Sequence, residues 1–259
     1  MTPLAPRDPT DPEHVTAQKR RYPLWPALAA LRNAELLRAR WTLLLATGAL
    51  AIGAFLKLTS ELHEGELDEL DRALLERVVA ARIPSLNGPA VDLTALGSAT
   101  VLTGVCVLAS GLFALGGQWR AFWQLVIAAV GGGLCSSAAK QLMERARPSL
   151  AFRLVEVESF SYPSGHSLAS ASVYLTLAIL TSRRLPNRPA RVWTLTFALA
   201  LMSAVGASRA YLGVHYPSDI LAGLLLGSGY SLLVSAVFSY LHARQDLSDE
   251  TRVRKGSDR

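Results

Sequence analysis

Long apolar runs separated by short polar segments are the dominant pattern of this chain. Six runs are long enough to cross a hydrocarbon core of about 30 Å, and they occupy residues 41–58, 91–116, 121–143, 163–182, 191–210 and 218–240. A membrane segment must satisfy its backbone hydrogen bonds internally, which favours helices. The pattern therefore predicts an all-α polytopic membrane protein with six transmembrane helices in a bundle.

An acidic segment separates the first two runs. Its acidic residues are Glu61, Glu64, Glu66, Asp68, Glu69, Asp71 and Glu76. Leu67, Leu70, Leu74 and Val78 follow one another at helical spacing within it,. We expect a short amphipathic helix on the extracytoplasmic side, where it covers the membrane face of the domain.

The two ends of the chain are more polar than the runs. Residues 1–22 are rich in proline and charge and predict a tail that does not fold alone,. Apolar and basic residues alternate over 23–40, a pattern typical of a helix lying at the membrane surface. We therefore divide the chain into an N-terminal cytoplasmic tail that can include this interfacial helix (1–40), a six-span domain (41–240) and a charged cytoplasmic C-terminal tail (241–259).

Composition agrees with a membrane protein and predicts its orientation. Of the 259 residues, 51% are hydrophobic, and the net charge is +6. The basic residues are spread over short loops rather than gathered in a stripe, so we expect no nucleic-acid partner. Six spans put both termini on one side, and 17 of the 26 Lys and Arg residues fall on that side. The positive-inside rule then predicts cytoplasmic termini for a multi-pass protein of the cell (inner) membrane.

Three polar clusters lie at the ends of apolar runs. They occupy residues 140–148, 163–166 and 208–219. With the termini in the cytoplasm, all three meet at the extracytoplasmic face. Charged residues at membrane-span ends are costly unless they have a role, so their shared side indicates one functional site.

Three cations in these clusters predict a site for an anion of more than one charge. Lys140 and Arg147 are seven residues apart, which places them on one helical face if the third span continues that far, with Pro148 ending the helix. Arg209 adds a third positive charge. The guanidinium fork matches phosphate oxygens. The alternative for each cation alone is a long side chain that reaches to the membrane interface.

Residues 163–166, Pro-Ser-Gly-His, predict the start of a helix,. Gly165 allows a ligand to approach the backbone closely, and Ser164 can donate from its hydroxyl. Free backbone N–H groups at a helix start attract anions. A plain helix cap is the alternative, and His166 directly after it favours the functional interpretation.

His215 and Asp219 predict a histidine oriented by a carboxylate. Because Pro217 disfavours helical geometry at the preceding residue, we expect the sixth helix to begin at Pro217, with Asp219 in its first turn. The carboxylate can then reach back to the imidazole ring, select its tautomer and favour the imidazolium. Together with His166 the pair could instead form a metal triad, but three nearby cations would repel a divalent ion. We expect no metal and no other cofactor.

These three clusters resemble the sequence motifs of the type-2 phosphatidic acid phosphatase superfamily, which also contains the vanadium haloperoxidases. The matching patterns are Lys140-x6-Arg147-Pro148, Pro163-Ser164-Gly165-His166 and Ser208-Arg209-x5-His215-x3-Asp219. The resemblance extends over residues 65–240. It implies a six-span helical core and metal-independent removal of phosphate from lipid phosphates.

The resemblance also implies roles for individual residues. His215 would be the nucleophile that accepts the phosphoryl group, oriented by Asp219, and His166 would protonate the leaving oxygen and then activate water. The phosphate oxygens would be held by Lys140, Arg147, Ser164, Gly165 and Arg209. A covalent step with a positioned acid suits a poor leaving group.

The implied substrates are lipid phosphates of the bacterial membrane. The short loop between Pro148 and Pro163 resembles the small bacterial members of the superfamily, whose substrates include undecaprenyl diphosphate, phosphatidylglycerol phosphate and phosphatidic acid. The alternatives are a phosphotransferase that uses undecaprenyl diphosphate as donor, a vanadate haloperoxidase, and a non-catalytic lipid-binding or transport protein. The membrane composition argues against the haloperoxidase. The oligomeric state stays open, since residues 131–133, Gly-Gly-Gly, permit close packing within one bundle or between two,.

Overall fold

Helices make up almost all of the part of the chain that the structure describes. The computed structural model describes the backbone of residues 24–257 and the side chains of residues 39–245. The predicted tail over 1–22 lies outside the described residues, and so do the side chains of the predicted interfacial helix up to residue 38. No strand is present in residues 24–257, so the described chain is all-α.

The helices are numbered here in chain order. They are α1 (Leu24–His63), α2 (Asp68–Ala80), α3 (Asn87–Ala95), α4 (Ala99–Leu115), α5 (Trp119–Met143), α6 (Gly165–Ser170), α7 (Thr176–Ser182), α8 (Arg188–Tyr211) and α9 (Pro217–Ser257). Short 3-10 turns occupy Pro84–Leu86 and Leu150–Phe152, and a π-helical turn over Ala171–Leu175 joins α6 to α7.

Four helical stretches are long and apolar enough to cross a membrane. They are Ala39–His63, Trp119–Met143, Arg188–Tyr211 and Pro217–Gln245. The segments Pro84–Ala95, which contains α3, and Ala99–Leu115, which is α4, pass the same criterion only as a pair bent by 44°. The described residues therefore contain four to five candidate spans, which supports a multi-pass membrane protein.

The second predicted span, over 91–116, is not one straight helix. It breaks between α3 and α4, where Ser98 caps α4 by accepting the Val101 N–H at 3.3 Å. Gly97 in this break packs so closely that a Cβ would lie 2.4 Å from a methyl carbon of Val205 on α8. Apolar periodicity cannot reveal such a break, because it arises from a close approach to a distant helix.

Apolar side chains cover much of the outer surface of the bundle. Leu108 and Leu115 on α4 and Trp193 on α8 are 68%, 89% and 74% exposed. Large exposed apolar side chains in such number are unfavourable in water, whereas acyl chains solvate them. The outward face of these helices is thus suited to a lipid environment.

The helix α9 lies along α1 and also packs against α6 at the centre of the bundle. Glycines permit the approach to α6, because a Cβ at Gly223 would lie 2.6 Å from the Ser164 carbonyl oxygen and one at Gly227 2.4 Å from that of Leu168. Small residues let membrane helices approach in this way. The first turn of α9 is thereby held beside the start of α6, where the Ser164 N–H donates to the Asp219 carbonyl oxygen at 2.9 Å.

Candidate active site

The three polar clusters come together at one end of the bundle. Lys140 lies in the last turn of α5, His166 in the first turn of α6 and Arg209 in the last turn of α8. His166 interacts electrostatically with both of these cations and with Arg147 and His215. Residues separated by up to about 80 positions thus form a single site.

His215 and Asp219 form a buried pair at the start of α9. The helix begins at Pro217, which confirms the predicted boundary. His215 is 1% exposed and Asp219 is fully buried. The Asp219 Oδ2 lies 3.5 Å from the His215 Nδ1, while the opposite ring nitrogen, Nε2, lies 3.2 Å from Arg147 Nη1.

Two further donors fix the Asp219 carboxylate. The Ser161 hydroxyl donates to Oδ2 at 2.5 Å and the Tyr216 N–H donates to the same oxygen at 2.9 Å. Ser161 is fully buried, and its Oγ also lies 3.4 Å from His215 Nδ1. These bonds direct the carboxylate at Nδ1 and favour the tautomer whose proton lies there, which leaves the Nε2 lone pair on the Arg147 side.

The protonation state of His215 differs from the imidazolium that sequence reasoning favoured. Burial lowers the pKa of His215 to about 4, although Asp219 acts in the opposite direction, and Arg147 and Arg209 lower it further. Desolvation penalises the charged ring more than one carboxylate stabilises it. The ring is therefore neutral at neutral pH, as a nucleophilic nitrogen must be.

Arg147 reaches the site from a loop and not from the helix that carries Lys140. The helix α5 ends at Met143, because Glu144 adopts a left-handed conformation with φ of 43°. The expectation that the third span continues to Pro148, with both cations on one helical face, is therefore wrong. Local spacing does not predict this end, since a non-glycine residue with positive φ is uncommon.

Neutral oxygens surround the Arg147 guanidinium. It donates to the backbone carbonyls of Ser159 at 2.5 Å, Val214 at 2.7 Å and Phe160 at 3.3 Å, and to the Ser159 hydroxyl at 3.0 Å. Burial lowers the pKa of Arg147 to about 10, so the group remains charged at neutral pH. Its positive charge is not neutralised by any ion pair with a carboxylate of residues 39–245.

Lys140 and Arg209 have similar surroundings. Lys140 Nζ donates to the Phe160 carbonyl at 2.5 Å, and Arg209, which is 4% exposed, donates from Nη1 to the Thr94 hydroxyl at 2.9 Å. The buried Nε of Arg209 has no hydrogen-bond partner in the described part of the chain. A buried charged donor without a partner is costly, and an anion in this cluster would satisfy it.

Ser164 and Gly165 complete the set that sequence reasoning selected. Ser164 is fully buried and accepts a hydrogen bond from the Ser167 hydroxyl at 3.0 Å. Gly165 faces α5, where an added Cβ would lie 3.7 Å from Lys140 Cε. Gly165 is therefore on the side of α6 that approaches Lys140.

Two residues on the Asp219 side of His215, Arg145 and Asp71, were not identified as site residues from the sequence. Arg145 donates to Asp219 Oδ1 at 2.7 Å and to Asp71 Oδ2 at 2.8 Å. Burial opposes the charge of Arg145, but the two carboxylates more than offset that effect and raise its pKa. One signal was available, since Asp71 lies on the same helical stripe as Leu67 and Leu75. A charge on an apolar stripe indicates a buried partner.

Within residues 39–245, no three His, Cys, Asp or Glu side chains converge as a metal site would require. The two histidines and the one carboxylate of the site lie among cations instead.

Comparison with known proteins gives matches to one family. A family model described as the PAP2 superfamily matches residues 121–243. Phosphatidylglycerophosphatase B of Bacillus subtilis is 33% identical over 177 residues, which cover 67% of this chain and 85% of that protein. An undecaprenyl-diphosphatase of Sulfolobus acidocaldarius is 45% identical over 74 residues, covering 29% of this chain and 32% of that protein.

A solved structure extends the match to the fold. The crystal structure of a transmembrane PAP2-type phosphatidylglycerolphosphate phosphatase from Bacillus subtilis superimposes with a TM-score of 0.69 at 30% sequence identity. The match covers 74% of this chain and 95% of that one. The three polar clusters, at residues 140–148, 163–166 and 208–219, all lie within the stretch that the family model matches.

Proposed function

Because this chain belongs to the PAP2 superfamily, we propose that it is a metal-independent membrane phosphatase that hydrolyses a phosphomonoester or diphosphate of a lipid through a phosphohistidine. One observation carries the proposal. His215 is buried and neutral, and Asp219 holds its Nδ1 side, so that its unprotonated Nε2 faces Arg147. Arg147 belongs to a cluster of three cations, none of which forms an ion pair with a carboxylate of residues 39–245. A nucleophile beside an anion site is the arrangement that phosphoryl transfer requires.

The first chemical step forms a covalent intermediate. The Nε2 lone pair of His215 attacks phosphorus, and the bond between phosphorus and the lipid oxygen breaks. The negative charge of the bound phosphate favours the protonated form of His166, which donates a proton to that leaving oxygen. The proton on Nδ1 stays opposite the Asp219 carboxylate, which stabilises the positive charge that develops on the ring.

The second step releases the product. His166, now neutral, removes a proton from water, and the hydroxide attacks the phosphorus of the phosphohistidine. The bond to Nε2 breaks, inorganic phosphate leaves and His215 returns to its neutral state. Lys140, Arg147, Arg209, the Ser164 hydroxyl and the Gly165 N–H stabilise the phosphate oxygens in both steps.

The membrane arrangement that we propose contains six spans. The four single candidates and the bent pair of α3 and α4 are joined by a sixth span made of α6, the π-helical turn and α7, which together run from Gly165 to Ser182. The acidic helix α2 would lie on the extracytoplasmic face as the amphipathic helix. The active site would face the same side, with both termini in the cytoplasm, in the inner membrane, and with domain limits at residues 41 and 240.

An apolar cavity beside the site is suited to the lipid chain of the substrate. Its volume is about 520 Å³, and its lining includes Leu93 on α3 with Ala207 and Tyr211 on α8. Thr94, next to Leu93, accepts a hydrogen bond from Arg209. A chain in this cavity would therefore be adjacent to a phosphate held by that arginine.

The substrate class follows from the relatives and the site together. One relative is named a phosphatidylglycerophosphatase and another an undecaprenyl-diphosphatase. We propose undecaprenyl diphosphate, phosphatidylglycerol phosphate and phosphatidic acid as the substrates to compare. An apolar cavity separates chain types only weakly, so the preference has to be measured.

The test is phosphate release by the purified full chain in detergent with EDTA present. The three lipids are offered side by side, with His215→Ala as the control. We expect release from at least one lipid and a loss of about 10⁴-fold or more in the variant, since removal of a nucleophile abolishes the covalent route. Strong inhibition by EDTA that added metal reverses, or an active His215→Ala variant, would contradict the proposal. Transfer of labelled phosphate to an alcohol instead of water would identify a phosphotransferase.

A further inference from the structure

The acidic helix α2 contributes a buried residue to the back of the candidate active site. Asp71 is 3% exposed although its neighbours Asp68 and Glu69 on the same helix are exposed. Its Oδ1 accepts the Ser218 N–H at 3.0 Å, and its Oδ2 accepts the Ser218 hydroxyl and the Arg145 guanidinium. Asp71 therefore binds the first turn of α9, the turn that carries Asp219.

Arg145 links this residue to the carboxylate that faces the nucleophile. Its Nη1 lies 2.7 Å from Asp219 Oδ1 and its Nη2 lies 2.8 Å from Asp71 Oδ2. The guanidinium carbon also lies 4.5 Å from the centre of the Tyr216 ring, on which it stacks. A planar fork that is held at both nitrogens and against a ring has little freedom.

The two oxygens of Asp219 have separate partners as a result. Oδ1 accepts from Arg145, while Oδ2 accepts from Ser161 and faces His215 Nδ1. Rotation of the carboxylate away from His215 would break the bond to Arg145. Among the described residues, neither Arg145 nor Asp71 forms a hydrogen bond with Lys140, Arg147 or Arg209, and both lie on the Nδ1 side of the ring.

We propose that Arg145 and Asp71 are positioning residues: Arg145 holds the Asp219 carboxylate opposite His215, and Asp71 holds Arg145 together with the first turn of α9. The inference rests on the proposed phosphatase function. It assigns to the extracytoplasmic helix α2 a part in the reaction beyond covering the membrane face.

The role predicts slow chemistry with unchanged substrate binding. The ammonium group of Arg145→Lys keeps the charge but cannot span both carboxylates, and the amide of Asp71→Asn keeps the shape but loses the charge. A misplacement of about 1 Å near a reacting group costs up to about 100-fold in rate. We expect kcat to fall about 10- to 100-fold in Arg145→Lys and about 10-fold in Asp71→Asn, with KM changed less than about twofold.

The experiment uses the full chain in detergent and the lipid, among the three named above, that the wild type hydrolyses fastest. Rapid-quench measurement with ³²P-labelled lipid gives the rate constant and the amplitude of phosphoenzyme formation, and steady-state kcat and KM are measured in parallel. Glu69→Gln is the matched control, because it removes the same charge from an exposed position of the same helix. We expect the control to behave as the wild type.

The amplitude separates positioning from folding. A residue with a structural role only would reduce the fraction of competent enzyme, and so the amplitude, while the rate constant of the folded fraction stayed normal. That result, or a rise in KM at unchanged kcat, would overturn the inference. In the double variant Arg145→Lys with Asp71→Asn we expect a loss smaller than the product of the single losses, because both act through Asp219.

The same experiment distinguishes a failure of the inference from a failure of the proposed function. Wild-type turnover with variants of normal rate would refute the positioning role alone. Absence of turnover in the folded wild type with every lipid would refute the phosphatase function and, with it, this inference.

Discussion

Arg145 and Arg147 are two residues apart in one loop and have opposite surroundings. Arg145 binds three carboxylates, those of Asp68, Asp71 and Asp219, whereas Arg147 binds carbonyl oxygens, a hydroxyl and the edge of His215. The carboxylates neutralise the first guanidinium, and the carbonyls leave the charge of the second available to an anion. The partners of the two arginines, and not the residue type, are the reason why we propose a positioning role for Arg145 and phosphate binding for Arg147.

The separation also protects the phosphate site from its own carboxylate. Asp219 must lie close to His215 to orient it, yet a free carboxylate there would repel a phosphate. Arg145 on its far side offsets this charge at 2.7 Å. The front of the site, which consists of Lys140, Arg147 and Arg209, therefore keeps its positive potential, because Arg145 offsets part of the negative charge of the carboxylates at the back, those of Asp68, Asp71 and Asp219.

Of the effects that would test this contrast between the two arginines, the largest that we predict is a loss of stability on removing Arg145. Arg145→Ala leaves Asp71 and Asp219 buried without a counter-charge, and breaking a buried pair in this way costs about 3–5 kcal/mol. Thermal unfolding in detergent should show a marked drop in midpoint. Asp71→Ala combined with Arg145→Ala should lose less than the two single losses together. An unchanged unfolding midpoint in Arg145→Ala would mean that the ion pairs of Arg145 with Asp71 and Asp219 do not stabilise the fold.

Removing Arg147, the arginine of the front, should lower activity and leave the free energy of unfolding nearly unchanged. Arg147→Ala takes away a donor that stabilises charge on the transferring phosphoryl group, which is worth about 10²- to 10³-fold in kcat. Since the partners left behind are neutral oxygens, the unfolding midpoint should shift little. Phosphate release and thermal unfolding of the same preparation check this, with Arg147→Lys as the milder variant. If Arg147→Ala lost as much stability as Arg145→Ala, the proposed difference in role between the two arginines would be wrong.

Much of the fold and less of the site can be predicted from the sequence. The apolar runs place the long helices, and the effect of Pro217 on its neighbour predicts where α9 begins. The break at Gly97 is missed because a close approach to Val205 of α8 accompanies it, and the end of α5 is missed because a non-glycine residue such as Glu144 rarely adopts a positive φ,. Asp71 and Arg145 are missed for a related reason: they pair across 74 residues, and no local pattern connects an acid in one helix to a base in a distant loop.

The pH dependence of activity is the next smaller effect. In the proposed mechanism neutral His215 is the reactive form, and its pKa of about 4 predicts that kcat/KM falls about tenfold per pH unit below that value. Arg147 lowers this pKa, so Arg147→Lys should leave the acidic limb in place, whereas Arg147→Ala should move it to higher pH. The pH profile of kcat/KM, measured with each variant, checks the direction of this shift. If the acidic limb of the kcat/KM profile lay at the same pH in Arg147→Ala as in the wild type, Arg147 would not influence the pKa of His215.

The same histidine should contribute to the pH dependence of stability. Its pKa in the folded chain is about 4 against an ordinary value of 6.5, so between these values the unfolded chain binds more protons. Folding stability should then be unaffected by this group above about pH 6.5 and fall as the pH is lowered from there towards 4. Unfolding midpoints of the wild type and of His215→Gln across this range test it. The variant should lose less stability on acidification than the wild type does.

The smallest effect concerns the third carboxylate of the back. Asp68 Oδ1 lies 3.3 Å from Arg145 Nη2, but its side chain is 61% exposed, compared with 4% for Asp71. Exposed ion pairs contribute at most about 1 kcal/mol, because water and salt screen them. Asp68→Asn should therefore change kcat less than about twofold, and raising the salt concentration should remove the small stability difference from the wild type. A loss as large as that of Asp71→Asn would show that net negative charge near Arg145, and not the buried geometry of Asp71, maintains the back of the site.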